Sequence, residues 1–220
     1  MRVFHLLNRE HALLAIERSR LKVAHIAELN DPFELLSPDL RDPIARKAFR
    51  AFRDQVGERH GLLCFSRHWR NTLLWSHYGD RHHGVAIEVE IDDGDAMPVR
   101  YRKTRLAWDC RAIVEGGGFT EAHVDELVRT KSHHWAYEEE VRVAISLTGS
   151  IPERGLHFSP VKITGIVLGA LSELSVAEIR TVLPPGARVS VTKARLAFRS
   201  FDVVRNKGEP ITVLERPDTK

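Results

Sequence analysis

The order of apolar and polar positions along the chain predicts short strands and helices that come in clusters. Residues 3–7 predict a first strand, and residues 85–91 alternate apolar with polar side chains, which is typical of a strand with one buried face. The turn residues 92–95 predict a hairpin to an antiparallel strand at 99–102. Because strands are grouped rather than alternating strictly with helices, we expect an α+β fold with a mixed, mainly antiparallel sheet and several short flanking helices.

Helix starts are marked by residues that cap helices well. The predicted N-terminal caps are Asn8, Asp42, Asn71, Thr120 and Ser175. The helix after Thr120 is expected to run to about Ser132. No linker, repeat or low-complexity tract interrupts the pattern, so we predict a single domain over 1–220, with a core at about 1–170 and a strand-helix-strand extension at 171–220.

Composition limits the broad class of protein. Hydrophobic residues make up 43% of the chain and charged residues 29%, which favours a globular domain. Lys and Arg total 33 against 30 for Asp and Glu, so a local basic patch is compatible with the sequence but a surface that tracks a phosphate backbone throughout is not. No apolar run approaches the roughly 20 residues of a membrane-spanning helix. We expect a cytoplasmic protein that does not enter a membrane, and the sequence does not predict its oligomeric state.

The strongest local signal for chemistry is the segment from Trp135 to Arg142, preceded by Lys131. If the segment enters a strand at Glu138, then Glu138, Glu140 and Arg142 share one face of it. Two carboxylates and a guanidinium on one face would make a concentrated polar site. The alternative is a solvated strand edge with a paired arginine, which contributes little to stability.

A second group of candidate residues lies between the predicted strand at 62–66 and the strand at 85–91. A strand ends in a polar side chain, and a short helix then presents aromatic and imidazole groups. The candidate ligand-binding residues here are Ser66, Arg67, Trp75, His77, Tyr78 and His83. Aromatic faces beside such groups suit a planar ligand such as a nucleobase or nicotinamide. The alternative is that Trp75 and Tyr78 only anchor the helix to the sheet.

A turn at residues 30–34 is required by its proline, and it predicts structural roles rather than chemical ones. Asn30 and Asp31 are expected to hold the turn through their side chains. Phe33 is expected to dock into the core.

Several familiar motifs are missing from the sequence. It has no glycine-rich phosphate loop, no G-x-S-x-G elbow and no H-E-x-x-H motif, which weakens hydrolase and nucleotide-triphosphatase interpretations. The spacing of the paired histidines fits no closed zinc site, so we predict no metal site.

Taken in order, these motifs resemble domain-of-unknown-function family 2971, a bacterial family. They begin with an aromatic-histidine first strand and continue with Asn30-Asp31-Pro32-Phe33-Glu34, Cys64-Phe65-Ser66, Trp75-Ser76-His77-Tyr78, His83-Gly84-Val85 and Lys131 followed by Trp135-Ala136-Tyr137-Glu138-Glu139-Glu140-Val141-Arg142. Their order and approximate spacing match as far as about residue 170. The resemblance implies no assigned activity, and it implies an association with phage-defence neighbourhoods.

A second resemblance is to ADP-ribosyltransferases, which have a His in a first strand, a Ser ending a middle strand and Glu-x-Glu entering a later strand. Such enzymes split NAD at the nicotinamide glycosidic bond. The resemblance implies that Glu140 is the catalytic carboxylate and that Glu138 is its neighbour. It also implies that His5 orients the NAD ribose, that Ser66 supports the site and that Tyr78 stacks on nicotinamide.

Three functions remain open at this point. The first is an NAD-using ADP-ribosyltransferase-like enzyme, a toxin or defence effector, whose further ligand-binding residues are Lys131, Trp135 and Arg142. The second is a non-catalytic nucleic-acid or nucleotide-binding module. Its basic residues are Arg195, Arg199, Arg205 and Lys207, with Lys103, Arg105 and Arg111. The third is a magnesium-dependent nuclease that uses Glu138 and Glu140. The expected partner is a nucleotide or small molecule, and nucleic acid under the second hypothesis.

Overall fold

A computed structural model describes residues 1–218 of the chain. The strands, in chain order, are β1 Arg2–Leu7, β2 Arg20–Lys22, β3 Ala24–His25, β4 His60–Ser66, β5 Val85–Glu90, β6 Met97–Pro98, β7 Arg100–Arg102, β8 Thr130–Ser132, β9 Glu140–Ser146, β10 Ile151–Glu153, β11 Leu156–Pro160, β12 Lys162–Leu168, β13 Arg188–Leu196, β14 Val203–Arg205 and β15 Thr212–Glu215. The helices are α1 Arg9–Arg18, α2 Pro43–Arg59, α3 Thr72–His77, α4 Cys110–Glu115, α5 Glu121–Val128 and α6 Val176–Val182. Short 3-10 helices cover Ile26–Glu28, His133–Glu138 and Leu147–Gly149.

The described residues form a ten-stranded sheet with the order β14-β13-β12-β5-β1-β4-β9-β6, in which β15 also pairs with β13 and β3 with β4. In this sheet β12 and β13 are parallel, whereas the pairs on either side of β1 are antiparallel. A three-stranded sheet, β10-β11-β2, and a parallel pair, β7-β8, complete the strands. The expected α+β class with a mixed, mainly antiparallel sheet is confirmed.

The caps that the sequence predicts are formed. Side chains of Asn8 and Asp42 accept hydrogen bonds from the backbone two or three residues into their helices, at 2.8 and 2.7 Å. Asn71 does the same at the start of α3, and Ser175 forms a capping box with Glu178 at the start of α6. These bonds satisfy N–H groups that a helix leaves unpaired at its first turn.

The core lies on both faces of the large sheet. One face packs against α1 and α6, and its buried residues include Val3, Ile16, Ile87 and Ile179. C-terminal residues such as Val189 and Leu214 belong to the same hydrophobic cluster. The other face packs against α2, α3 and α5. Within residues 1–218, no helix combines the length and the apolar character needed to cross a membrane.

The prediction of a hairpin after residue 91 is wrong. Both edges of β5 are occupied, by β1 and by β12, so no edge remains for the segment that follows the turn. That segment instead forms β6 and β7, which pair with β9 and β8. Ala86, expected on a solvent face, is fully buried because it packs in a hydrophobic cluster with Leu74 and Trp75 of α3.

Two expectations about residues 120–142 also need correction. The helix after Thr120 ends at Val128 rather than near Ser132, because residues 130–132 enter β8 and pair with β7. No strand begins at Glu138, which is the last residue of a 3-10 helix. Glu139 takes a left-handed conformation with φ of 43°, and β9 starts at Glu140. A change of backbone direction therefore separates the two glutamates.

Candidate functional site

The candidate site lies where β1 and β4 separate. The two strands share one residue pair, Phe4 with Ser66, and β4 then pairs with β3 instead of continuing beside β1. A cavity of about 260 Å³ is open at this point. Its lining includes Phe4, His5, Leu6, Lys22, Asn30, Glu34, Cys64, Ser66, Leu74, Tyr78, Lys131, Glu138, Glu140 and Arg142.

Strand register aligns the middle-strand and later-strand candidates, Ser66 and Glu140, whereas the first-strand residue in the same row is Phe4, the neighbour of the candidate His5. Phe4 lies opposite Ser66, and Ser66 lies opposite Glu140, so the three residues form one row across β1, β4 and β9. Paired residues on neighbouring strands point to the same face of a sheet. The cavity therefore collects residues that lie more than 70 positions apart in the sequence.

The wall of the cavity contains a buried charge cluster, which we define as Glu34, Lys131, Glu138, Glu140 and Arg142. Each of these residues is at most 6% exposed. The interpretation of the acidic run as a solvated strand edge is therefore wrong. Burying charges is costly unless they are paired and hydrogen-bonded, so the contacts inside the cluster decide whether it is stable.

Arg142 lies at the centre of the cluster and is fully buried. Its Nη1 and Nη2 donate to the two carboxylate oxygens of Glu34 at 2.7 and 2.9 Å. Nε and Nη2 donate to the oxygens of Glu140 at 2.8 and 3.1 Å, and Nη1 also donates to the carbonyl of Val128 at 2.7 Å. All five guanidinium N–H groups thus have acceptors, which makes Arg142 a structural centre rather than a free ligand-binding cation.

Lys131 connects Glu138, at the end of the 3-10 helix, with Glu140, the first residue of β9. Its Nζ donates to Glu138 at 2.5 Å and to Glu140 at 2.9 Å, and it lies 5.0 Å from the centre of the Trp135 ring. Burial lowers the pKa of an amine, but the carboxylates of Glu140 and Glu138 outweigh it, so the pKa of Lys131 is raised and the amine stays charged.

The environments of Glu138 and Glu140 differ. Burial acts to raise the pKa of Glu140, but Arg142 and then Lys131 outweigh it and hold that pKa at about 2. For Glu138, burial is the largest influence and raises the pKa, although Lys131 opposes it. Glu140 is therefore firmly ionised, whereas Glu138 is the carboxylate whose charge is less well compensated.

A chain of hydrogen bonds leads from the turn at residues 30–34 to Glu138. Asn30 Nδ2 donates to the Tyr78 hydroxyl oxygen at 2.6 Å, and the Tyr78 hydroxyl donates to Glu138 Oε1 at 2.6 Å. Burial, followed by the charge of Glu138, raises the pKa of Tyr78, so the phenol stays protonated. Asn30, which was expected to hold its turn, thus uses its side-chain amide at the site.

His5 lies at the opening between β1 and β4. Its Nδ1 lies 2.8 Å from the carbonyl oxygen of Cys64, and its ring packs edge-on against Phe65. A carbonyl only accepts, so Nδ1 carries the hydrogen and Nε2 is an acceptor in the neutral ring. Burial lowers the pKa of His5, more than the Cys64 carbonyl raises it, which keeps the ring neutral at neutral pH.

The Ser66 hydroxyl holds the backbone around the site through hydrogen bonds. Its hydroxyl lies 2.6 Å from the carbonyl of Glu138 and 2.8 Å from that of His68. The backbone N–H of the adjacent Arg67 donates to the carbonyl of Glu139. Ser66 therefore fixes the segment that carries Glu138, while the Arg67 side chain is exposed.

Other sequence-predicted ligand-binding residues lie outside the cavity lining. Trp75 is fully buried in a hydrophobic cluster and donates from Nε1 to the carbonyl of Trp69 at 2.5 Å, so its location is that of a core residue. His77 and His83 are exposed, on the last turn of α3 and in the following turn. Trp135 reaches the site only through Lys131.

In the turn at 30–34, the sequence interpretation is wrong for one residue and overlooks another. Phe33 is 57% exposed instead of docking into the core, with Arg105 above its ring. Asp31 is buried and accepts from the backbone N–H of Phe33 at 2.9 Å. Glu34, which the sequence motifs include without assigning it a role, is 2% exposed and pairs with Arg142. Nothing in the local pattern marks Glu34, because its partner lies more than 100 residues away.

The three carboxylates of the cluster are paired with protein cations. Among the described residues, no three His, Cys, Asp or Glu side chains come together as a group that would hold a metal ion. Glu34 supplies a third acidic side chain beside Glu138 and Glu140, but both of its oxygens accept from Arg142.

Comparison with known proteins finds a family match for part of the chain. The model of the family described as protein of unknown function (DUF2971) matches residues 74–143, which run from α3 into β9. The matched residues include Tyr78, Lys131, Glu138, Glu140 and Arg142. No curated protein and no solved structure matches the chain. The family resemblance found in the sequence motifs is confirmed over residues 74–143, the segment that supplies most of the buried charge cluster.

Proposed function

We propose that the cavity binds the nicotinamide-ribose half of NAD and that the protein is an ADP-ribosyltransferase-like enzyme acting as a defence effector or toxin. The observation that carries the proposal is that His5, Ser66, Tyr78, Glu138 and Glu140 all line one cavity. In the reaction, the glycosidic C–N bond of NAD breaks and its electron pair leaves with nicotinamide. An acceptor hydroxyl or water then bonds to the ribose carbon and loses its proton.

The charge balance of the cluster supports this chemistry. Its three carboxylates, on Glu34, Glu138 and Glu140, face two cations, Lys131 and Arg142, so one negative charge is in excess. Cleavage of the glycosidic bond leaves positive charge on the ribose ring. A fixed carboxylate in a site that excludes water stabilises that charge more in the transition state than in the ground state.

The contacts favour Glu138 over Glu140 as the carboxylate that faces the ribose. Both oxygens of Glu140 accept from Arg142, and one also accepts from Lys131. Each Glu138 oxygen accepts one bond, from Tyr78 or from Lys131. In this proposal Glu138 stabilises the developing charge, and Glu140 holds Lys131 and Arg142 in place. This assignment exchanges the roles that chain order implies for the two residues.

The remaining groups position the substrate. The Nε2 of neutral His5 is an acceptor suited to a ribose hydroxyl, since Nδ1 already donates to the Cys64 carbonyl. The ring of Tyr78, fixed between Asn30 and Glu138, offers a face for the nicotinamide ring. Ser66 keeps the Glu138 backbone in position.

The test combines calorimetric titration of NAD with measurement of released nicotinamide. We expect the wild type to bind NAD and release nicotinamide, and we expect Glu138→Gln to bind but to lose at least about 100-fold in rate. Glu139→Gln is the matched control, because Glu139 lies between the two glutamates but is exposed. It should retain the wild-type rate.

Two outcomes would contradict the proposal. The first is a wild type that gives no heat with NAD and releases no nicotinamide. The second is a Glu138→Gln variant that is as active as Glu139→Gln. If Glu140→Gln lost its rate while Glu138→Gln stayed active, the proposed reaction would stand. The catalytic carboxylate would then be Glu140 rather than Glu138. Thermal unfolding of each variant separates loss of chemistry from loss of fold.

A further inference from the structure

The hairpin between β13 and β14 exposes two aromatic side chains. Phe198 is 89% exposed and Phe201 is 97% exposed. They exceed every other large hydrophobic residue in exposure within the part of the chain that the structure describes. The packing of the core does not account for two exposed aromatic rings in one hairpin, and exposed apolar patches are found at interaction sites.

The hairpin is held in a defined conformation by hydrogen bonds. The backbone N–H of Ala197 donates to the carbonyl of Asp202 at 2.9 Å, and the Ser200 hydroxyl donates to the Asp202 carboxylate at 2.7 Å. At its base, the N–H of Val203 donates to the carbonyl of Arg70 at 2.8 Å. The two rings are therefore presented on a fixed support, which reduces the entropy lost when a partner orders them.

Positive charge surrounds the two rings. The Arg195 guanidinium lies 4.3 Å from the centre of the Phe198 ring, and Arg199 lies between the two phenylalanines in sequence. Arg199, Arg205 and Arg70 are exposed. Among residues 1–218, neither Arg195 nor Arg199 forms a salt bridge, and the nearby Asp202 carboxylate accepts from Ser200. The backbone of Arg70 lies at the base of the hairpin, since its carbonyl accepts from the N–H of Val203.

We infer that this basic-aromatic hairpin, residues 195–205, binds single-stranded nucleic acid. Cations without carboxylate partners suit phosphates, and their contacts release counterions. Exposed rings suit unpaired bases, since every base has a face that stacks on an aromatic side chain whatever its sequence. A duplex offers such faces only at its ends, so the aromatic pair favours single strands. The inference does not depend on the chemistry at the cavity.

Fluorescence anisotropy with a labelled oligothymidylate of roughly twelve nucleotides tests the inference. We expect the full chain to bind, and the double variant Phe198→Ala/Phe201→Ala to bind at least about tenfold more weakly. Arg199→Gln should lower the slope of log affinity against log salt by about 0.7, the value for one phosphate contact on a single strand.

Leu171→Ala provides a control for loss of an exposed apolar side chain, because Leu171 is 51% exposed and lies in the turn after β12. Its binding should equal that of the wild type. No binding of the oligonucleotide at low salt would overturn the inference, and so would equal binding by the double variant and the wild type. Sedimentation with phosphatidylserine vesicles, without binding of the oligonucleotide, would assign the hairpin to an anionic membrane surface instead.

Discussion

The buried charge cluster and the basic-aromatic hairpin use arginine in opposite ways. Arg142 in the cluster is fully buried, and each of its N–H groups has a protein acceptor. Arg199 in the hairpin is exposed and forms no salt bridge within the described residues. An arginine whose donors are all satisfied inside the protein maintains structure, whereas one without partners is available to a ligand.

The two regions should therefore respond differently to mutation. Removing one partner from a buried ion pair leaves an uncompensated charge in a medium of low polarity, which costs several kcal/mol. Truncating an exposed side chain changes the folded and unfolded states almost equally. Changes in the cluster should lower stability, and changes in the hairpin should lower binding alone.

The largest expected effect is that of Arg142→Met. The variant leaves Glu34 buried without its partner and leaves Glu138 and Glu140 with Lys131 alone. We expect the free energy of unfolding to fall by about 4 kcal/mol or more, or the protein not to fold. Urea denaturation measures the change.

Arg111→Met is the control for that experiment. Arg111 pairs with Glu115 one turn along α4, but its side chain is 57% exposed. Such pairs contribute at most about 1 kcal/mol. If both variants lost the same amount, Arg142 would not be the structural centre of the site.

Glu140→Gln should have the next largest effect, and its size should depend on pH. The folded-state pKa of Glu140 is about 2, below its ordinary value of 4.5. A depressed pKa gives stability that is complete above 4.5 and is lost as the pH falls towards 2. We expect the variant to lose about 3 kcal/mol at neutral pH and progressively less below pH 4.5. A loss that stayed constant with pH would contradict the ionic role of Glu140.

Glu138→Gln should cost less than Glu140→Gln. Burial raises the pKa of Glu138, so its ionised form is less favourable in the folded protein than in water. That penalty disappears as the pH falls through the raised pKa, and the amide removes it at every pH. We expect a loss of about 1 kcal/mol or less at neutral pH, from weakened bonds to Tyr78 and Lys131. Equal losses of stability in the two variants would show that Glu138 and Glu140 do not differ in how well their charges are compensated.

Sequence reasoning predicted the fold class and the main strands because they depend on local patterns. Caps such as Asn8 and Ser175, and the apolar strand at 85–91, are visible within a few residues. The segment that contains Glu138, Glu140 and Arg142 was also recognised, since two carboxylates and a guanidinium at alternate positions are conspicuous.

Partners that lie far apart in the chain could not be predicted. Burial of the acidic run depends on Glu34, which reaches Arg142 from a turn 108 residues away in the chain. It also depends on Lys131, a near neighbour in sequence that the pairing of β8 with β7 holds in place. The helix expected through residue 132 would have left Lys131 outside a strand, and the expected hairpin ignored the second neighbour of β5. Both errors have the same cause: the competition for strand edges is decided by the whole sheet.

The smallest expected effect on stability is that of Phe198→Ala/Phe201→Ala. Both rings are almost fully exposed, so their removal leaves no cavity and breaks no buried contact. We expect the free energy of unfolding to change by less than about 0.5 kcal/mol, measured by urea denaturation beside Arg142→Met. A larger loss of stability would mean that the rings pack against the protein in solution. The hairpin would then resemble the cluster, in which the side chains bind one another rather than a ligand.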